Sequence, residues 1–124
     1  MKITKPLKKN YEFRVVYNRG KSVANQNIVL FILKNGGAAN RFGMSVSKKI
    51  GNAVVRNRVR RRLRESYRLM EPMLRQGYDV VVIARQPIAA STYADIASGF
   101  RRLLQRQGLW IAELPQKKSG AESI

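Results

Sequence analysis

The sequence has 124 residues and a formal net charge of +18, from 25 lysines and arginines against seven acids. This length fits one domain with a real core, and such an excess of positive charge predicts a polyanionic partner. Because cysteine and histidine are both absent, disulfides, thiolate zinc sites, cysteine nucleophiles and histidine general bases are excluded. The acids are scattered, which argues against a protein nuclease that gathers two metal ions on its own carboxylates.

No targeting or membrane segment is predicted. The sequence contains no apolar run of about 18 residues, and no apolar region follows the basic start "MKITKPLKKN". We therefore expect a cytoplasmic protein. Residues 1–110 are predicted to form a single domain, and the polar segment 111–124 a disordered tail.

The first predicted element is a short helix that Asn10 caps and that runs to about Asn18, with Gly20 placed to end it. Apolar spacing at i, i+3 and i+4 gives this helix one apolar face, formed by Phe13, Val16 and Tyr17. A β-branched run then predicts a strand over 28–33 with two apolar faces. Such a strand must be covered on both faces, or use one of them for binding.

The segment "GGAAN" at 36–40 predicts a hairpin connection to a second strand, "RFGMSVS", over 41–47. Strict alternation assigns the core face of this strand to Phe42, Met44 and Val46. It assigns the outer face to Arg41, Gly43, Ser45 and Ser47. The small residues on the outer face leave room for a ligand to approach.

A long helix is predicted from Ala53 to Met70, capped by Asn52 and ended by Pro72. Its apolar stripe consists of Val55, Val59, Leu63, Tyr67 and Met70. The run "YDVVVIARQ" predicts a strand buried on both faces. Ser91 or Thr92 caps a last helix before Gly108, whose inward residues are Ile96, Ala97, Phe100, Leu103 and Leu104. This order of elements predicts an α+β sandwich with helices on a small mixed sheet.

The polar side of the long helix is rich in arginine. At 100° per residue, an arc of roughly 100° holds Asn57, Arg60, Arg61, Arg64 and Arg68. Glu65 is the one acid nearby, so the face lacks the alternating signs of a solvated surface. Arginine also binds phosphate bidentately, which lysine does not. A polyanion-binding face is therefore favoured over a merely solvated one.

The surroundings of this helix indicate which polyanion it binds. Pro72 and a strand follow it, instead of the apolar heptads of a basic-region leucine zipper. A strand precedes it, instead of the partner helix of a helix-turn-helix protein. A membrane-surface helix would expose the apolar stripe that is better used in the core. Structured RNA suits a broad arginine face that reads phosphates and shape.

The segment "SVSKKIGNAVVRNRVRRRLRE", residues 45–65, closely resembles the signature of the bacterial ribonuclease P protein subunit. Arg56, Asn57 and Arg58 form the "RNR" core of that signature. The flanking residues that also fit are Lys48, Lys49, Gly51, Asn52, Ala53, Arg60, Arg61 and Arg64. The resemblance extends over roughly 7–107, through "NYEFRVVYNRGKSVANQNIVLF" and "YDVVVIARQP".

The resemblance implies a fold and a function. The family fold is an α+β sandwich with a left-handed βαβ crossover (ribosomal S5 domain 2-like), an exception to the right-handed rule. The family protein, one per RNA subunit, binds a catalytic RNA, and the ribonucleoprotein removes the 5′ leader from precursor tRNA. The resemblance further implies that the RNA holds most of the required Mg²⁺. No catalytic residue, metal site, cofactor or membrane partner is expected in the protein itself.

Site residues follow from the same resemblance. The expected contacts to the catalytic RNA are Lys48, Lys49, Asn52, Arg56, Asn57, Arg58, Arg60, Arg61, Arg64 and Arg68. The expected leader cleft consists of Phe13, Tyr17, Phe31 and Ser45. The family commonly has Phe in place of Tyr17 and Tyr in place of Phe31, and stacking on bases survives both changes. From the residues alone, the aromatic side chains could be core, and Ser45 a small space-filling residue. The rival function is a structural, ribosomal-type RNA-binding protein.

Overall fold

The computed structural model describes residues 4–111 of the chain. Its three helices are Asn10–Arg19 (α1), Ala53–Met70 (α2) and Tyr93–Arg106 (α3). The predicted tail lies outside the described residues, apart from Ile111. No helix within 4–111 combines the length and the apolar character needed to cross a bilayer.

Five strands form one mixed sheet in the order β1-β4-β5-β3-β2. They are Lys5–Pro6 (β1), Lys21–Ala24 (β2), Ile28–Lys34 (β3), Arg41–Ser45 (β4) and Tyr78–Ala84 (β5). β5 lies at the centre, parallel to β4 and antiparallel to β3. The predicted α+β sandwich is confirmed. Its sheet also contains two edge strands, β1 and β2, that were not predicted.

The hairpin predicted at 36–40 was wrong. β3 and β4 are not neighbours, because β5 inserts between them and pairs with both. The turn itself is real: Asn35 Oδ1 accepts the Gly37 N–H at 2.7 Å, and Asn35 Nδ2 donates to the Ala39 carbonyl at 3.1 Å. Turn residues fix where the chain reverses, but the partner of each strand depends on the distant strand β5.

The crossover between the parallel strands β4 and β5 contains α2, so the structure has the βαβ unit that the resemblance implies. A short 3₁₀ turn, Lys48–Ile50, precedes α2, and another, Glu71–Met73, follows it. Asn52 caps α2 as predicted, since its Oδ1 accepts the Val55 N–H at 3.0 Å.

The ends of the other two helices differ in how well they were predicted. Thr92 caps α3 through a bond from the Asp95 N–H to Thr92 Oγ1 of 3.1 Å, as one of the two alternatives predicted. Asn10 is the first residue of α1 instead of its cap, and the cap position belongs to Lys9. The reason is Glu12, whose Oε1 accepts the N–H groups of Lys8 and Lys9 at 3.1 Å each.

The helices lie on opposite faces of the sheet. Alternate residues of β5 separate two apolar clusters: Val80 and Val82 belong to the larger one, with α2 and α3, whereas Val81 faces α1. The α1 side has three buried apolar residues, Leu7, Val16 and Val81. The molecule therefore has a deep core beneath α2 and α3, and a shallow one beneath α1.

Candidate nucleic-acid interface

The orientation of α2 is fixed by its apolar stripe. The stripe residues buried in the larger cluster are Val59, Leu63, Tyr67 and Met70, and Val55 is half-buried. The Tyr67 ring stacks on Phe42 with centroids 4.3 Å apart, and its hydroxyl lies 3.0 Å from Thr4 Oγ1. Because this side is anchored so firmly, the opposite side of α2 must face solvent.

The solvent side of α2 is the arginine arc expected from the sequence. Its exposed members are Asn57, Arg61, Arg64 and Arg68, and Arg60 is half-buried. Arg68 pairs with Glu65, which lies one turn before it on the same helix. The side chains of Arg61 and Arg64 form no ion pair or hydrogen bond with any residue in 4–111. Their charges are therefore available to an external anion.

Other predicted RNA-binding residues on α2 have internal partners. Arg56 Nη1 donates to the Gly51 carbonyl at 2.8 Å, which places Arg56 toward the start of the helix. Arg60 Nη1 donates to Asn57 Oδ1 at 3.1 Å. Helical spacing makes Asn57 and Arg60 neighbours, but it did not indicate the contact of Arg56 with Gly51. These bonds orient the side chains of Arg56 and Arg60, and each guanidinium keeps further N–H donors.

Lys48 and Lys49 lie on the exposed 3₁₀ turn that leads into α2. Gly51 follows this turn with a φ of +155°, where a methyl group would lie 2.9 Å from Val55 Cγ1. A side chain at this position would therefore displace either the turn or the first turn of α2. The tight connection brings both lysines next to the helix that carries the arginines.

The second predicted site lies on the other face of the sheet, beneath α1. Phe13 and Tyr17 of α1 and Ser45 of β4 line one open groove of about 360 Å³. Three further lining residues are Asn10, Arg14 and Met44. Sequence reasoning missed Asn10 and Arg14, although their spacing with Phe13 and Tyr17 is i, i+3, i+4 and i+7, which is one helix face. Met44 was assigned to the core, which it also contacts.

Phe31 of β3 belongs to the same aromatic cluster, but it is not a lining residue of the groove. The Tyr17 ring meets the Phe31 ring edge-on at 5.1 Å and the Phe13 ring at 6.2 Å. All three rings are half-buried, so they pack on the shallow core and still offer ring surface. Burial raises the pKa of the Tyr17 hydroxyl, and the nearby Ser45 hydroxyl offsets part of that rise.

The carboxylates of the described residues offer no metal centre. Within 4–111, no three acidic side chains come close enough together to hold an ion. Glu12 and Asp79 are both engaged by Arg41, and Glu65 by Arg68. The carboxylates of residues 4–111 therefore form no cluster of three that could hold a metal ion by themselves.

Comparison with known proteins identifies the same family as the sequence resemblance does. The family model "Ribonuclease P" matches residues 1–108. The ribonuclease P protein component of Caldanaerobacter subterraneus subsp. tengcongensis is 51% identical over 109 residues, covering 88% of this chain and 93% of that protein. That of Clostridium botulinum (strain Loch Maree) is 50% identical over 105 residues, covering 84% and 95%.

Solved structures agree with the fold. The ribonuclease P protein of Staphylococcus aureus superimposes with a TM-score of 0.79 at 36% identity, covering 85% of this chain and 96% of that one. That of Thermotoga maritima gives a TM-score of 0.76 at 29% identity, covering 82% and 96%. With an arginine face, an aromatic groove and these relatives in agreement, the chain belongs to the bacterial ribonuclease P protein family.

Proposed function

We propose that the chain acts as the protein component of a cytoplasmic ribonuclease P, which removes the 5′ leader of precursor tRNA. The observation that carries this proposal is the presence of two unlike surfaces on opposite faces of one sheet. One surface presents unpaired arginines on α2, and the other presents half-buried aromatic rings beneath α1. A protein with this arrangement can bind one RNA on each side.

The arginine face docks on the catalytic RNA. Arg61 and Arg64 supply guanidinium groups that lack partners within 4–111, and Lys48 and Lys49 extend the positive surface. Guanidinium groups bind phosphates through paired N–H donors, and each such contact releases counterions. This binding depends strongly on salt and reads the shape of the RNA more than its base sequence.

The aromatic groove holds the single-stranded leader of the precursor. Phe13 and Tyr17 offer ring faces on which bases stack, and stacking tolerates every base. Arg14 is exposed at the same groove and supplies a positive charge for the leader phosphates. The leader is therefore bound with little sequence preference, as a processing enzyme with many tRNA substrates requires.

The protein contributes positioning, and the RNA contributes the catalytic centre. The scattered acids support this division, because residues 4–111 offer no carboxylate cluster for metal-assisted hydrolysis. By holding the catalytic RNA on one face and the leader on the other, the protein aligns the scissile phosphate. Positional errors of about 1 Å can cost roughly a hundredfold in rate, so such alignment is a sufficient role.

Reconstitution tests this proposal. The chain is added to a bacterial ribonuclease P RNA and precursor tRNA at low Mg²⁺, and cleavage at the mature 5′ end is followed. We expect strong stimulation over the RNA alone. Binding to the RNA without stimulation would favour the structural, ribosomal-type alternative. Cleavage by the protein without any RNA would identify a self-sufficient nuclease instead.

A further inference from the structure

The placement of α1 determines the shape of the groove, yet its apolar contact with the sheet is small. Three buried apolar residues form the centre of the contact between this helix and the sheet, and the aromatic side chains that pack around them are half-exposed. A shallow contact of this kind resists sliding and tilting of the helix less strongly than a deep core does. Additional contacts must set its position.

Ion pairs at the first turn of α1 supply those contacts. Arg41 of β4 donates to Asp79 of β5 through Nε and Nη2, at 2.8 and 2.7 Å. Its remaining nitrogen, Nη1, donates to Glu12 Oε2 at 3.0 Å. The Asp79 side chain is 4% exposed and also accepts a bond of 3.0 Å from Asn35 Nδ2, so the pair is anchored to the sheet. One planar guanidinium therefore connects two central strands to α1.

The next residue on the same face of β4 is Gly43, which lies under the Phe13 ring. A methyl group at Gly43 would be 2.6 Å from Phe13 Cζ and 3.0 Å from Leu7 Cβ. The ring therefore contacts the sheet backbone directly. Ser45, two residues further along, lies beside the Tyr17 hydroxyl at the groove.

These three contacts follow one row of β4. Arg41, Gly43 and Ser45 are alternate residues, so they share the face turned toward α1. They meet Glu12, Phe13 and Tyr17 in the same order along the helix. We propose that this row sets the register of α1 on the sheet, and that Arg41, Glu12 and Gly43 are positioning residues for the leader groove. The inference rests on the proposed function of that groove.

Glu12→Gln tests the ion-pair part of the row. Glutamine still accepts the N–H groups of Lys8 and Lys9, but its amide turns a donor toward Arg41. The variant also makes the protein more positive by one charge. A purely electrostatic role therefore predicts tighter RNA binding, whereas a positioning role predicts weaker leader binding.

The measurement is the affinity of the reconstituted holoenzyme for leader-bearing precursor and for mature tRNA. We expect Glu12→Gln to weaken precursor binding about tenfold, the size of one lost base stack, with mature tRNA unchanged. Asp95→Asn, with the same charge change on α3, should alter neither affinity. Equal or tighter precursor binding by Glu12→Gln would overturn the inference.

Gly43→Ala tests the same row without any change of charge. We expect a similar loss of leader affinity, because the added methyl displaces Phe13. If Glu12→Gln does not fold, as judged by circular dichroism, Gly43→Ala decides the question. The loss of precursor affinity in the double variant of Glu12→Gln with Phe13→Ala should be smaller than the sum of the two single losses, since Glu12 acts partly through the position of Phe13. Fully additive losses would contradict the inference.

Phe13→Ala alone distinguishes a failure of the leader-groove assignment from a failure of the positioning row. If it leaves leader binding unchanged, the groove itself is not the leader site, and the proposed function fails there. If it weakens leader binding while Glu12→Gln and Gly43→Ala do not, the groove assignment stands and the positioning row is refuted.

Discussion

The arginine face of α2 and the groove beneath α1 differ in whether their charged side chains have partners within the protein. The arginine face rests on a deep core, and Arg61 and Arg64 have no partner within the described residues. The groove rests on a shallow core, and the acids near it are both paired with Arg41. Arg61 and Arg64 are thus left open on the first surface, whereas beside the second surface Arg41 is bound internally and Arg14 is exposed.

This difference follows from how much apolar surface is buried beneath each helix. Below α2, hydrophobic burial fixes the helix, so its charges can remain free for an RNA. Below α1, burial is limited, so an anchored ion pair adds the missing orientation. Because the protein has few acids, the pairing of Glu12 and Asp79 with Arg41 indicates that the position of α1 on the sheet depends on ion pairs.

The largest expected effect tests the difference in depth between the two cores. Leu63→Ala in the deep core should lower the free energy of unfolding toward the upper end of about 2–5 kcal/mol. Leu7→Ala, the same substitution in the shallow cluster, should fall toward the lower end of about 2–5 kcal/mol, because its edge site can collapse. Urea unfolding measures both. Equal losses would mean that the two cores support their helices equally.

The next effect concerns the groove. Phe13→Ala should weaken holoenzyme binding of leader-bearing precursor by about 1–3 kcal/mol, the value of one stacked base, and spare mature tRNA. Tyr11→Ala is the matched control, since Tyr11 is 57% exposed on the same helix but does not line the groove. Equal losses for precursor and mature tRNA would contradict the leader assignment.

A smaller effect separates a specific arginine face from net charge. Arg64→Ala should reduce the slope of log affinity for the catalytic RNA against log salt by about 0.7–0.9, one phosphate contact. Arg106→Ala removes the same charge from an exposed position on α3 and should leave the slope nearly unchanged. The same reduction in both variants would show that the face has no special role.

The smallest effect is a dependence of stability on pH. Hydrogen bonds from Lys9 and Lys8, with the charge of Arg41, lower the pKa of Glu12 below its ordinary value of 4.5. A lowered pKa stabilises the fold fully above that ordinary value, and the stabilisation is lost as pH falls through the folded value. The Tm difference between the unchanged protein and Glu12→Gln should therefore shrink as pH falls below 4.5. A difference independent of pH would exclude this linkage.

Local patterns predicted the helices and the inner strands well. The bounds of α2 match the prediction at both ends, because Asn52 and Pro72 are strong local signals. The edge strands β1 and β2 were missed, since Lys5–Pro6 is short and exposed, and Lys21–Ala24 has no apolar alternation. Their pairing depends on neighbours far along the chain, which no local pattern encodes.

The candidate site shows the same division between local and distant information. Arg61 and Arg64 lie on the exposed face that the helical wheel predicts, and Phe13, Tyr17 and Ser45 meet at one groove. The internal contacts of Arg56, and the ion pairs of Arg41, involve backbone turns or other strands and could not be read from spacing.

The central position of β5 also has a consequence for the order of folding. β5 pairs with β3 from Ile28↔Ala84 to Lys34↔Tyr78, and with β4 from Arg41↔Asp79 to Ser45↔Ile83. β3 and β4 therefore lack their common partner until this late segment has been synthesised. Because pairings between distant segments form slowly, the α2 segment lacks the sheet against which it packs during the early part of folding, while its arginines already repel one another. Anions should therefore weaken this repulsion while the chain folds, and anions that bind the folded protein should stabilise it.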